Sequence, residues 1–228
     1  MKFFKRTAAV LALSAAMLSG PVQAVPVTVV GTTVSFTFDS ALSGLFGVPM
    51  VTGDALFFTP TTYKAQSFNG TGFASASQTF NVTVNANPGY QVSAVNLTED
   101  GDYYNIGAGS SVAVGGKLYV RDLASPLTPA ASSKIKSSLP LTDMTSANVA
   151  IPAGWGGTGG IVSGVNVTLE NILLANSLSV GGAAFIEKKF AGVAIVTTPV
   201  PEPQAYALFI AGLALMGFMG WRKGRSAI

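Results

Sequence analysis

Neither cysteine nor histidine occurs anywhere in the 228 residues. Without cysteine there is no disulfide, no thiolate metal site and no thiol nucleophile, so an exported core would have to be held by packing alone. Without histidine the commonest general base and the commonest transition-metal ligand are missing. Charge is sparse too, at 10% of residues, and between the two ends almost nothing repeats at 3.6 residues. Hydrolase and zinc chemistries lose their usual reagents, and no cofactor is expected.

The net charge of +3 misleads about the middle of the chain. Lys2, Lys5, Arg6, Arg222, Lys223 and Arg225 supply six of the 13 basic residues. Between 25 and 198, seven basic residues face nine acidic ones, a balance of −2. Nucleic-acid binding requires clustered Lys and Arg for the phosphates, and this body has none to offer. The pairs Lys134/Lys136 and Lys188/Lys189 read as solvated faces.

The ends carry the long apolar runs. Lys2, Lys5 and Arg6 precede an apolar stretch from Ala8 to Leu18, followed by Ser19-Gly20-Pro21 and the small-residue run to Ala24. These are the three parts of a secretory signal peptide over 1–24, with cleavage expected after Ala24. At the other end Pro201-Glu202-Pro203 leads into an apolar run from Ala205 to Trp221, closed by Arg222, Lys223 and Arg225. As a helix, Gln204 to Trp221 spans roughly 27 Å at ~1.5 Å per residue, close to the ~30 Å bilayer core. A transmembrane helix over 205–221 is therefore expected, its basic end held in the cytoplasm.

The ordered set of triplet, apolar segment and terminal basic cluster over 199–228 resembles the PEP-CTERM proteins of Gram-negative bacteria. The resemblance implies a sorting signal read by an exosortase, a membrane transpeptidase that cuts near the triplet. It implies an inner-membrane anchor that is transient, then delivery to the cell surface or extracellular matrix. It also implies association with exopolysaccharide and biofilm.

Residues 25–198 fit one domain of alternating strands. Val34, Phe36 and Phe38 alternate with Thr33, Ser35 and Thr37; Phe80, Val82, Val84 and Val165, Val167, Leu169 keep the same two-residue beat. Further strands are predicted over Ala55–Phe58, Gln91–Leu97, Ser111–Arg121 and Ala183–Val196. Turns are predicted at Asn69-Gly70, Asn87-Pro88-Gly89, Asp100-Gly101, Gly115-Gly116 and Gly181-Gly182. With no crossover helices, this is an all-β antiparallel sandwich, jelly-roll or immunoglobulin-like. Leu123–Asn148, interrupted by prolines, reads as a long loop with a short helix over Ala130–Ser138, and Thr197–Pro203 as a stiff linker.

Two clusters invite chemistry. Glu99, Asp100 and Asp102 place three carboxylates within four residues, a spacing that can hold Ca²⁺, although an acidic turn accounts for it as well. Trp155 in its glycine-rich loop, with Tyr103 and Tyr104, would make a sugar-stacking platform; a tryptophan folded back onto a sheet edge is the plainer reading. The body is thus expected to be non-catalytic. A carbohydrate-binding module is the alternative, and a secreted hydrolase using a carboxylate pair a further one.

Overall fold

The computed structural model describes residues 26–135, 145–200 and 203–225. Twelve strands, numbered in chain order, form two antiparallel sheets among them. The first runs, in spatial order, β1 (Pro26–Val30), β2 (Val34–Asp39), β6 (Gly72–Ala86), β11 (Gly164–Ser177), β8 (Ser111–Asp122) and β9 (Ala131–Lys134). The second runs β10 (Thr145–Ala150), β7 (Tyr90–Ile106), β12 (Ala183–Pro199), β4 (Ala55–Phe58) and β3 (Met50–Thr52), and β5 (Lys64–Phe68) also pairs with β12. The antiparallel sandwich expected from the two-residue beat is present.

Its core follows from that beat. Val34, Phe36 and Phe38 of β2 are buried while the intervening residues are only half covered. Phe80, Val82, Val84, Val165, Val167 and Leu169 are buried from the neighbouring strands. Facing them, Leu56, Phe58, Val95, Leu97, Ile186 and Val193 come from the second sheet. Phe46, in a 3₁₀ turn over Gly44–Phe46, meets Phe58 at 5.1 Å and Tyr63 at 5.2 Å between ring centroids. Each such side chain removed from water contributes about 1.5–3 kcal/mol.

Several predicted turns hold. At Asn69-Gly70 both residues take positive φ, 53° and 75°, and the Thr71 N–H donates to the Phe68 carbonyl at 3.1 Å, closing the two-residue turn. The turns at Asn87–Gly89 and Gly181-Gly182 also form, and like the Asn69-Gly70 turn between β5 and β6 each joins strands of different sheets. The chain passes from β6 to β7, back to β8, and later from β11 to β12 by arching between layers. Local turn chemistry does not distinguish such an arch from a hairpin.

Two predicted turns are not turns. Asp100-Gly101 lies inside β7 and Gly115-Gly116 inside β8, both paired in the ladder. These glycines serve close strand approach: a Cβ at Gly101 would stand 2.1 Å from the Glu187 carbonyl oxygen, and one at Gly116 2.1 Å from that of Glu170. The helix predicted over Ala130–Ser138 is replaced over Ala131–Lys134 by strand β9, which pairs with β8; tertiary pairing overrides local propensity there. Thr197 to Pro199 are no linker either, since they extend β12 against Val92, Gln91 and Tyr90.

Beyond the sandwich a single helix is described, α1 (Pro203–Arg225), overlapping the predicted 205–221 span. Its described side chains, 207–219, are all exposed. Among the described residues no helix is long and apolar enough to cross a membrane. The predicted signal peptide over 1–24, with Ala24, lies outside the described residues.

Candidate functional site

Three neighbouring strands each break their apolar alternation once. On β7 the inward series Val95, Leu97 continues with Glu99; on β11 Val165, Val167, Leu169 continues with Asn171 before Leu173 and Ala175; on β12 Ala184 and Ile186 are followed by Lys188. These three polar residues are 1%, 3% and 4% exposed, so all sit in the core. The solvated reading of Lys188 is therefore corrected. Lys188 continues the inward alternation of Ala184 and Ile186, and a bulge follows it: Lys188 pairs with Gly101 and Phe190 with Asp100, leaving Lys189 as the extra residue. Burial runs through 184, 186 and 188 before the bulge and through 191, 193 and 195 after it.

The three side chains meet. Lys188 Nζ lies 2.8 Å from Glu99 Oε1, and Asn171 Nδ2 donates to that same oxygen. Tyr63, also buried, donates its hydroxyl to the Asn171 backbone carbonyl at 2.6 Å and accepts the Lys188 N–H on its own carbonyl at 2.9 Å. Glu99 Oε2 and Asn171 Oδ1 are buried with no hydrogen-bond partner among the described residues. Glycine stands across the ladder from both partners, Gly101 opposite Lys188 and Gly116 opposite Asn171. A cavity of about 10 Å³, room for about one water-sized molecule, is lined by Glu99, Gly101, Val114, Leu173 and Lys188, among others.

Burial acts against charge on this group. It pushes the Glu99 carboxyl upward against the opposing pull of Lys188 and of the hydrogen bonds from Lys188 and Asn171. It pushes the Lys188 ammonium downward against the pull of Glu99. Both directions favour a neutral acid beside a neutral amine. Burial, reinforced by the Glu99 charge, pushes the Tyr63 phenol up as well.

The predicted acidic cluster does not assemble. Glu99 points into the core, the exposed Asp100 accepts the Gly101 N–H at 2.7 Å, and the exposed Asp102 pairs with Lys189. Among the described residues no group of three His, Cys, Asp or Glu side chains could hold a metal ion. The calcium reading is corrected for a simple reason, that successive strand residues face opposite ways.

The sugar platform is corrected too. Trp155 is 4% exposed and belongs to the core. Its loop is held by the buried Asp122, which accepts the Gly156 N–H at 2.8 Å and the Ala124 N–H at 3.0 Å. Tyr103 packs half-buried against the core, and Tyr104 stacks on Phe185 at 5.3 Å between centroids. The Trp155 loop lies where β7 begins, near the Val162 carbonyl that receives the Val92 N–H, whereas the two tyrosines lie near the end of that strand. Eleven residues of strand, roughly 35 Å, separate Val92 from Tyr103.

A second surface was not legible in the sequence. On the outer face of the first sheet, Tyr119 and Arg121 of β8 and Asn166, Thr168 and Glu170 of β11 line a groove of about 210 Å³. Asn81 extends its polar floor, donating to Asn166 Oδ1 at 2.9 Å and to Thr168 Oγ1 at 2.7 Å. Only strand pairing brings these residues together, and only their position at outward-facing registers could have hinted at it.

The C-terminal segment is decided by comparison with known families: the model of the PEP-CTERM protein-sorting motif matches residues 199–225. The chain ends in a PEP-CTERM sorting motif. That motif implies export and, in general, processing by an exosortase at a membrane-associated C-terminal signal. No curated protein matches the chain. Among solved structures, it is similar to TmCBM61 in complex with β-1,4-galactotriose at 14% identity, covering 60% of this chain and 68% of that one, with a TM-score of 0.26. The infectious bursal disease virus Gt strain structure gives 12% identity, 69% and 47% coverage and a TM-score of 0.29. Endoglucanase 3 of Trichoderma harzianum, from family GH12, gives 10%, 75% and 95%, and 0.19. Similarity this low carries no functional argument.

The first two residues of the PEP-CTERM motif belong to the sandwich. Pro199 still pairs with Tyr90, and the Val200 N–H donates to the Gly89 carbonyl at 2.8 Å. Pro201 and Glu202 lie outside the described residues, and Pro203 opens α1, a position where its missing N–H costs nothing. Arg222, Lys223 and Arg225 fall within the last turns of that helix.

Proposed function

We propose that this protein is exported, anchored transiently in the inner membrane through 205–221, processed by an exosortase near Pro201-Glu202-Pro203, and delivered to the cell surface or matrix. There its sandwich acts without catalysis, in association with exopolysaccharide in a biofilm. The observation that carries this reading is a PEP-CTERM motif over 199–225 joined directly to the last strand of a sandwich whose sequence has no cysteine or histidine. Replacing Pro201, Glu202 and Pro203 with alanines in the native host is expected to leave the chain unprocessed and membrane-associated. A mature product of normal size, released as before, would refute the reading.

The outer groove favours a second role within the same setting, carbohydrate binding. A tyrosine ring, a guanidinium, two amides, a hydroxyl and a carboxylate line or floor it, the mixture of apolar face and hydrogen-bonding groups that sugars require. On a glycan array the full chain is expected to bind, with signal lost in Tyr119→Ala and kept in Trp155→Phe. Binding that persists in Tyr119→Ala would remove the groove from consideration.

A further inference from the structure

We propose that Lys188 and Asn171 become joined by an intramolecular amide bond, formed within the folded core with Glu99 as the proton-transfer group. The inference is independent of sorting, since it rests on the sandwich interior alone.

The geometry supplies the reactants. Lys188 Nζ and Asn171 Nδ2 both bond one oxygen, Glu99 Oε1, so amine and carboxamide are held on the same carboxyl group. All three residues are at most 4% exposed, so they are shielded from bulk water. An amine attacks only when neutral, and burial moves both Glu99 and Lys188 toward their neutral forms. Passing one proton along the 2.8 Å contact from Lys188 Nζ to Glu99 produces that state with no exchange with solvent.

Two orphan atoms fit the next step. Asn171 Oδ1 and Glu99 Oε2 have no hydrogen-bond partner among the described residues, a costly arrangement in a core. Half a turn of the Asn171 amide about its Cβ–Cγ bond exchanges Nδ2 and Oδ1 and brings Oδ1 to the Glu99 acid proton. That hydrogen bond polarises Cγ toward attack. Lys188 Nζ then forms a bond to Asn171 Cγ, giving a tetrahedral centre. Glu99 gives its acid proton to the departing Nδ2 and takes in its place the proton that the attacking nitrogen sheds. The Cγ–Nδ2 bond breaks, ammonia leaves, and Glu99 ends with the proton count at which it began. One amide has replaced another with no oxidant or reductant.

The backbone around the pair is shaped for close approach. Glycine faces each partner across the ladder, Gly101 beside Lys188 and Gly116 beside Asn171, where a Cβ would collide with the neighbouring strand. The small cavity at Glu99 and Lys188 has the dimensions of the leaving molecule. Lys188 belongs to the second sheet and Asn171 to the first, so the new bond fastens the two layers of a protein that has no cysteine to do so.

The test is peptide mapping of the full-length chain, unfolded and cut after glutamate. Cuts at Glu170 and Glu187 release one peptide beginning at Asn171 and another beginning at Lys188. The expected result is a single branched species containing both, lighter than their sum by about 17 Da for the lost ammonia. Two separate peptides of ordinary mass would overturn the proposal. So would two separate peptides of which the first alone is lighter by about 17 Da, the signature of asparagine cyclising on its own backbone. Glu99→Gln keeps the shape of the side chain and cannot cycle the proton; it is expected to fold with its two peptides unlinked. A linked Glu99→Gln would refute the role of the carboxyl group. Failure of that variant to fold leaves the decision to the wild-type map, which requires no substitution.

Discussion

Lys188 and Lys189 are adjacent in the chain, and each meets a carboxylate of β7, yet the two pairs obey different physics. Lys189 faces solvent with Asp102, both side chains more than half exposed, and Glu187 stands 3.5 Å away. Its ammonium is held above the ordinary lysine range, chiefly by the hydrogen bond it donates to Asp102. Water screens such a pair, and exposed pairs contribute little. Lys188, one residue earlier, sits in the core on Glu99, where desolvation works against the charge of both groups. Strand alternation alone points one lysine inward and the next outward, and the cost of leaving the inward one unpartnered rises accordingly.

The sharpest way to break this comparison is to remove one buried partner. Glu99→Ala or Lys188→Ala is expected to destabilise the sandwich by about 3–5 kcal/mol, because the remaining polar group stays buried without its partner. Equilibrium denaturant unfolding measures it, and a midpoint like that of the unaltered chain would contradict the burial argument.

Gly101→Ala attacks the same site through the backbone. Its Cβ would meet the Glu187 carbonyl oxygen at 2.1 Å, so the two strands must separate. The expected cost is about 1–3 kcal/mol, with weaker protection of the β7 and β12 amides in hydrogen exchange. Full protection would mean that the close approach is dispensable.

Asp54 provides a contrast in sign. Partial burial raises its carboxyl pKa, but hydrogen bonds from the Thr33 hydroxyl at 2.6 Å and the Thr33 N–H at 2.7 Å outweigh this and hold it below its ordinary value of 3.8. A depressed acid contributes stability above its unfolded pKa and loses it as pH falls through the folded value. Acid unfolding below pH 3.8 should therefore flatten in Asp54→Asn relative to the unaltered chain. A slope unchanged by the substitution would exclude Asp54 as a source of acid sensitivity.

The smallest effect belongs to the exposed pair. Lys189→Ala and Asp102→Asn are each expected to leave the unfolding midpoint unchanged, with no added salt dependence. A clear loss from either would show that this pair is energetically closer to Lys188 and Glu99 than its exposure implies.

Much of the architecture was legible beforehand because a strand's two-residue period is a local property. Val34-Phe36-Phe38 and Val165-Val167-Leu169 declare an inward face with no knowledge of a partner. The failures are equally local in origin. Glycine pairs mark turns on average, but Gly101 and Gly116 answer to carbonyl oxygens on strands far away in sequence. Trp155 among its glycines allowed either an exposed ring or one folded back onto the sheet, and the structure takes the second, with the ring in the core and Asp122 accepting the Gly156 N–H of its loop. For the buried triad a signal did exist: Glu99, Asn171 and Lys188 each occupy an inward register of an otherwise apolar series. For Lys188 the bulge that restores the apolar phase after it concealed that register.

The sequence by itself determined two things about this protein: a strand-built middle without thiol or imidazole chemistry, and a C-terminal sorting motif. Both are properties of contiguous residues, readable wherever the chain goes. Only the tertiary structure decided that a glutamate, an asparagine and a lysine, far apart in the chain, share one carboxyl oxygen inside the core. The physical reason is that strand register and a bulge fix which side chains leave water, and the chemistry open to an amine depends on that more than on its neighbours in sequence.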